Sequence, residues 1–377
     1  MRTALTNARI FTPEGIRSDR TLLLNGARIE ALVTPDDPRC QGAQSEDLAS
    51  MLLVPGFIDI QVNGGGGVLF NDAPEKASVQ AIGAAHRRFG TTGFLPTLIS
   101  DDLDAIAAAI AAVQGAMAEG VPGVLGIHIE GPFLNRIRRG VHDARHLRKL
   151  DANVVSLLCS LQSGKTVVTL APEMTTPEII ADLTSRGVIV SAGHSNATFA
   201  QATRAIAHGV RGITHLFNAM SPLAPREPGL VGAALYDDTT WCGIIVDGHH
   251  VDPISLKLAL RCKRHDRFIL VTDAMPPVGT DWTSFELQGQ TIQVVDGVCR
   301  DKNGTLAGTA LDMAGAVRNA ISMLGLELGE AIRMASEYPA EYLGLAGELG
   351  RIAPGYRANL ALLDETLHVR RSWIDGA

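Results

Sequence analysis

Aromatic residues are scarce in this chain: Phe, Trp and Tyr make up 5% of 377 residues. That scarcity argues against an aromatic-rich β-sandwich core. Cysteine is also thin. Cys40, Cys159, Cys242, Cys262 and Cys299 are odd in number, scattered, and form no C-x-x-C pair. Neither a disulfide framework nor a thiolate zinc site is indicated, and a reducing cytoplasm fits. Basic blocks are absent apart from Arg136-Ile137-Arg138-Arg139, and the formal charge is −7. Nucleic-acid binding is set aside, because neutralising phosphates needs a larger basic surface. No apolar run reaches the roughly 18 residues of a membrane span, and Met1 to Thr12 lacks the apolar core of a signal peptide. The expectation is a cytoplasmic protein with no membrane partner.

What is present is Ala, Val, Ile, Leu and Gly, within an apolar content of 46%. Such a mixture suits buried parallel strands under helices. The length accommodates an α/β barrel of about 250 residues plus a smaller unit. The expected division is a small β domain begun by residues 1–50, a (β/α)8 TIM-like barrel over 51–349, and a return to the small β-sandwich domain over 350–377.

Short strands separated by turns fill the first part: Ala4 to Phe11, Arg20 to Leu24 and Arg28 to Val33, the last two joined at Asn25-Gly26. Near Leu52 a strand–helix rhythm begins. Its strands are expected at Leu53–Ile60, Phe94–Leu98, Val124–Ile129, Val167–Ala171, Val188–Ala192, Gly212–His215, Gly243–Val246 and Phe268–Thr272. Eight apolar runs alternating with helical patterns indicate a parallel sheet covered on both faces. Closure into a barrel follows from the count of eight, since periodicity alone leaves an open sheet in play. Ser284 to Arg300 reads as an inserted hairpin turning at Asp296-Gly297. Helices follow at Leu311–Leu324 and Leu328–Tyr338, and Gly350 to Arg370 is strand-like again.

Polar residues fall where a barrel would use them. Gln61 and Asn63 follow strand 1, Glu130 ends strand 3, His194 ends strand 5, His215 ends strand 6, His250 follows strand 7 and Asp273 ends strand 8. The carboxyl ends of barrel strands converge on one face, where catalytic groups sit. Glu130, His194 and His215 offer one oxygen and two nitrogens, suited to one divalent metal per subunit with a position left open for water. Zn2+ is the first choice, while Fe2+, Co2+ and Mn2+ accept similar donors. Singly, each residue has a plainer reading: a hydrogen-bonded structural histidine, or a carboxylate capping a turn. Asp273, beyond capping its loop, is placed to move a proton between an attacking water and a leaving nitrogen. Asp59, Gln61 and Asn63 alternate and share a strand face. Gln61 and Asn63 are neutral amides where many barrel amidohydrolases carry His-x-His and bind two metals. One metal is therefore expected, with the amides supporting the site, although Asn63 is also a natural turn residue before Gly64-Gly65-Gly66-Gly67. That glycine run lacks the lysine of a phosphate-binding P-loop.

Several blocks together resemble N-acetylglucosamine-6-phosphate deacetylases over nearly the whole chain. They are His128-Ile129-Glu130-Gly131-Pro132-Phe133, Gly193-His194-Ser195-Asn196-Ala197, Thr214 to Met220, Arg226 to Leu230, Asp247-Gly248-His249-His250-Val251, Val271-Thr272-Asp273-Ala274 and Leu306-Ala307-Gly308-Thr309. The resemblance implies that Glu130, His194 and His215 bind the metal, that Asp273 is the catalytic acid/base, and that His250 assists at the acetamide carbonyl. It implies sugar contacts from His142 and phosphate contacts from Asn218, Ala219 and Arg226, with Gln61, Asn63, His250 and Leu306 also facing substrate. Arg226 would reach a neighbouring subunit's site, making the protein a homodimer. Plainer alternatives are an exposed loop position for His142 and a local pair with Glu227 for Arg226. The stretch Asn135 to Arg148 departs most from the family pattern; Arg136, Arg138 and Arg139 read as a solvated loop or as an adjustment of substrate preference.

The activity implied is hydrolysis of N-acetyl-D-glucosamine 6-phosphate to D-glucosamine 6-phosphate and acetate, in amino-sugar catabolism. Competing readings are another barrel amidohydrolase, acting on cyclic amides or N-acyl amino acids, and a non-catalytic scaffold of the same fold. The strand-4 end, Pro172-Glu173, lacks the lysine that several two-metal relatives use, which weighs against the first competitor.

Overall fold

Strands that are apolar on both faces need cover on both, and the central runs obtain it by pairing side by side. The computed structural model describes residues 2–377. Its core is one eight-stranded parallel sheet of Phe57–Val62, Thr91–Ile99, Gly126–Glu130, Lys165–Leu170, Ile189–Ala192, Val210–Ile213, Trp241–Ile244 and Phe268–Leu270, each paired with the next in chain order. The first and last strands meet just beyond their carboxyl ends, through a parallel bridge between Val62 and Ala274. Asp273 N also donates to Gln61 O at 3.0 Å. The sheet is thus a near-closed barrel rather than an open sheet.

Several helices between strands begin at polar caps. The Asp102 side chain accepts from Ala105 N ahead of Leu103–Ala118, and Thr198 with Gln201 forms a reciprocal capping box on Phe199–Ala207. Gly325, at φ +76°, ends Met313–Leu324 in the left-handed conformation that only glycine adopts without penalty.

Two of the smaller sheets outside the barrel are built from the two ends of the chain. One holds Arg28–Val33, Thr21–Asn25, Arg2–Thr6 and Gln44–Asp47; the other holds Val369–Trp373, Leu360–Leu363, Leu52–Pro55, Arg9–Thr12 and Gly15–Arg17. Leu5, Leu22, Leu24, Leu53, Leu360 and Trp373 pack together as a core separate from the barrel's. Chain-terminal residues therefore share one unit, with Leu360–Leu363 antiparallel to Leu52–Pro55.

The structure alters several element limits. The run Leu53–Ile60 is two strands, because the chain changes sheets at Gly56, where a Cβ would lie 2.0 Å from Thr92 Oγ1. Ala4–Phe11 is likewise divided, at Asn7 with φ +50°. The helix expected over Leu328–Tyr338 breaks at Ser336. Pro339 has no N–H, and its ring would collide with the carbonyl of Ala335 in an unbroken helix. The insertion is larger than a hairpin: Ser284–Leu287, Gln290–Val295, Val298–Arg300 and Leu306–Thr309 form a four-stranded sheet. Its turn at Asp296-Gly297 has positive φ at both residues, as a tight two-residue hairpin turn requires.

Candidate active site

Each candidate residue sits where a barrel strand gives way to loop. Glu130 is the last residue of Gly126–Glu130, while His194, His215 and Asp273 come two or three residues after their strands end. Those three have φ of +47°, +35° and +52°. L-residues other than glycine seldom take this conformation, and its cost is tolerated chiefly at functional sites. Abrupt turning at the strand ends brings side chains far apart in sequence to one place.

Nε2 of His194 lies 3.1 Å and Nε2 of His215 3.0 Å from Glu130 Oε1, and the two nitrogens are 2.9 Å apart. All three side chains are buried. His194 Nδ1 is 2.9 Å from the Arg138 carbonyl, which can only accept, so Nδ1 carries the proton. In the neutral ring, Nε2 then presents a lone pair to another nitrogen and to a carboxylate oxygen. His215 Nδ1 meets no partner, and with its proton there the ring turns a second lone pair into the same space, where one cation would satisfy all three atoms. A tetrahedral ion with bonds of about 2.0–2.1 Å holds its donors roughly 3.3 Å apart, close to the spacing here. The donor set therefore fits a divalent cation. The two imidazoles also hold Glu130 well below the usual carboxylate range, against the opposing effect of its burial.

Asp273 stands beside this cluster. Asn63 Nδ2 donates to its Oδ1 at 2.7 Å and Gln61 Nε2 at 3.1 Å; the same Gln61 nitrogen lies 3.0 Å from Glu130 Oε2. Burial, followed by the charge of Glu130, pushes Asp273 up to about 6, while His215, His250 and Asn63 act in the opposite direction. A carboxylate with that value can both take and return a proton near neutral pH. Gln61 and Asn63 are buried behind it and do not line the adjoining cavity. One layer further down the first strand, Asp59 accepts from Thr272 Oγ1 and, at 3.2 Å, from Gln61 N.

A cavity of about 410 Å³ opens over the cluster. Its wall includes His142, Asn218, Ala219, His250 and Leu306, together with Glu130, His194, His215 and Asp273. His142 is buried, with its ring 4.4 Å from that of His194. Its Nδ1 accepts from Ser100 N at 3.2 Å, which leaves Nε2 as the protonated nitrogen. Burial, then the neighbouring His194, keeps the ring well below the usual histidine range and hence neutral. Asn218 uses its side chain locally, donating to His215 O at 3.1 Å. Arg226 is exposed and lies outside the wall of its own chain's cavity. Glu227 accepts instead from Phe199 N and Gly229 N, and among the described residues it forms no ion pair with Arg226.

Three contributors escape a reading based on sequence. Arg138, expected in a solvated loop, lines the cavity and supplies the carbonyl that fixes His194. Glu173, at the end of the fourth strand, accepts from Ser195 Oγ at 2.7 Å, Asn196 N at 2.6 Å and Asn135 Nδ2 at 2.9 Å. It thereby ties the loop bearing His194 to the one bearing Arg138. Asp247 contacts His250 Nδ1 at 2.6 Å. For Glu173 a signal existed: it is an acidic residue at a strand's carboxyl end, like Glu130.

Comparison with known proteins adds a second line of observation. The amidohydrolase family model matches residues 52–376. An N-acetylgalactosamine-6-phosphate deacetylase of Shewanella sp. (strain ANA-3) is 46% identical over 329 residues, covering 87% of this chain and 83% of that protein. The crystal structure of N-acetylglucosamine-6-phosphate deacetylase from Pasteurella multocida superposes with a TM-score of 0.96 at 37% identity, covering 100% and 99% of the two chains. A mutant of N-acetyl-D-glucosamine-6-phosphate deacetylase from Mycobacterium smegmatis, in complex with N-acetyl-D-glucosamine-6-phosphate, superposes with a TM-score of 0.90 at 30% identity, covering 100% and 98%.

Proposed function

Because the chain belongs to the amidohydrolase family, and within it to the deacetylases of N-acetylated amino-sugar 6-phosphates, we propose that it hydrolyses N-acetyl-D-glucosamine 6-phosphate to D-glucosamine 6-phosphate and acetate. The observation that carries this reading is the convergence of Glu130, His194 and His215 within 3.1 Å, beside Asp273 and at the floor of a sugar-sized cavity. These three residues hold one divalent cation per subunit, Zn2+ by donor type, although Fe2+, Co2+ or Mn2+ share the same preferences. Such a cation, when bound, makes water acidic near neutral pH and polarises an amide carbonyl.

The chain's own residues do the remaining work. Asp273 takes the proton of the attacking water and delivers it to the sugar nitrogen as the C–N bond breaks, releasing acetate and a free amine. Asn63 and Gln61 keep its carboxylate aimed for both transfers. His250 donates to the carbonyl oxygen as negative charge builds there. His142 donates from Nε2 to a sugar hydroxyl, and Leu306 lines the same cavity. Ala219 offers its backbone N–H to the 6-phosphate, and Asn218, whose own N–H is used on His215 O, lines the cavity beside it. Arg226 completes that contact across a homodimer, which its exposure and lack of an ion pair with Glu227 support. A cytoplasmic role in amino-sugar catabolism fits five free cysteines.

A second reading concerns the sugar. The 46% identity to an N-acetylgalactosamine-6-phosphate deacetylase favours the 4-epimer as an alternative substrate. Acetate release from both 6-phosphates, from unphosphorylated N-acetylglucosamine and from an N-acyl amino acid tests the proposal. A 6-phosphate should be hydrolysed far faster than its unphosphorylated counterpart; preference for the acyl amino acid, or no acetate at all, would overturn it.

A further inference from the structure

We infer that Asp247 is a positioning residue for the deacetylation, orienting His250 and holding its ring as the hydrogen-bond donor to the amide carbonyl oxygen. This rests on the role given to His250 above.

The two oxygens of Asp247 have separate partners. Oδ1 accepts from His249 N and His250 N, both at 2.8 Å, which shapes the turn after the seventh strand. Oδ2 lies 2.6 Å from His250 Nδ1. Both side chains are largely enclosed, with 10% and 6% of their surfaces exposed for Asp247 and His250. The turn is braced from outside as well: Gly248 takes φ +77°, and Asn319, on helix Met313–Leu324, donates to Val246 O at 2.8 Å. His250 therefore has little freedom to swing.

The chemistry follows from these contacts. A carboxylate accepts only, so Nδ1 of His250 must carry its proton. Nε2, the nitrogen left for the cavity, can then donate only if the ring is an imidazolium. The result is a ring whose Nε2 is held in one orientation before substrate arrives, with a carboxylate behind it to balance the charge of the ring as Nε2 donates to a developing oxyanion. A turn-capping role alone would need Oδ1 and leave Oδ2 without purpose.

The two roles separate experimentally. Asp247→Asn keeps one oxygen for the turn but opposes an N–H2 to the imidazole, while Asp247→Ser keeps a turn acceptor and removes the imidazole's partner. Acetate release by the unaltered protein is established first; its absence would count against the proposed function rather than against Asp247. Each variant is then expected to lose about ten- to a hundred-fold in kcat, with KM changed less than about threefold and metal content unchanged. Combined with His250→Asn, neither should slow the enzyme further. Nitrogen-15 spectra of the zinc-loaded protein should show His250 Nδ1 protonated and hydrogen-bonded, and should show it without its proton in Asp247→Asn. Unaltered kcat, a full additional loss in the His250→Asn background, or imidazole signals unmoved by Asp247→Asn would each overturn the assignment.

Discussion

Asn63 Nδ2 lies 2.7 Å from Asp273 Oδ1, so a residue just past the first barrel strand grips the carboxylate just past the last. Alternate residues of that first segment repeat the grip: Gln61 reaches the same carboxylate and Asp59 reaches Thr272. Barrel closure and alignment of the reactive carboxylate are thus the same set of contacts.

Asn63→Ala removes a donor that favours the ionised form of Asp273, so the carboxyl should hold its proton to higher pH. The acidic limb of kcat/KM, placed at or below about 6 by the unaltered residue and a bound cation, should move upward in the variant. A pH–rate profile checks this, and an unmoved limb would contradict it.

Asp59 bears on stability rather than rate. Burial pushes its carboxyl up to about 7, despite hydrogen bonds from Thr272 and Gln61. The folded state therefore binds this proton more tightly than the unfolded chain, whose Asp titrates near about 3.9. The stabilisation is complete below that value and is lost as pH rises through about 7. Asp59→Asn stays neutral throughout, so its Tm should fall less than the wild type's between about pH 4 and 8. Parallel Tm curves would contradict the assignment.

The sequence made the barrel legible because its strands are short, apolar and eight in number, and because polar residues punctuate their ends. Glu130, His194, His215 and Asp273 followed from that punctuation. Element limits near Gly56, Asn7 and Ser336 did not, since the apolar pattern runs on while the chain changes sheets or a proline interrupts the helix. The roles of Asp247 and Glu173 were not legible for a different reason, although Glu173 shares with Glu130 its place at a strand's carboxyl end. Their partners, His250 Nδ1 on one side and Ser195, Asn196 and Asn135 on the other, are local contacts between side chains and loops. No periodicity records such contacts. Arg138 looked solvated because a run of arginines does, yet its loop is folded back by Asn135 and Glu173.

Glu173 should accordingly influence metal retention without touching the metal. Glu173→Ala frees the loop bearing His194, and the dissociation constant for Zn2+, measured by chelator competition, should rise about ten- to a hundred-fold. An unchanged constant would show that His194 is held adequately by Arg138 O alone.

Asp273→Asn preserves shape while removing the ability to carry a proton. Metal analysis should find the ion still bound, and kcat should fall by about 10²- to 10⁴-fold. Retention of substantial turnover would remove Asp273 from the proton path.

The most direct measurement is a metal titration scored by chemistry. Protein stripped by chelator receives Zn2+ in steps, and acetate release from the better 6-phosphate substrate is read after each addition. Activity should begin near zero, rise in proportion to added metal and level off at one ion per chain. Full activity in the stripped protein, or a plateau reached only at two ions per chain, would contradict the single-cation centre formed by Glu130, His194 and His215.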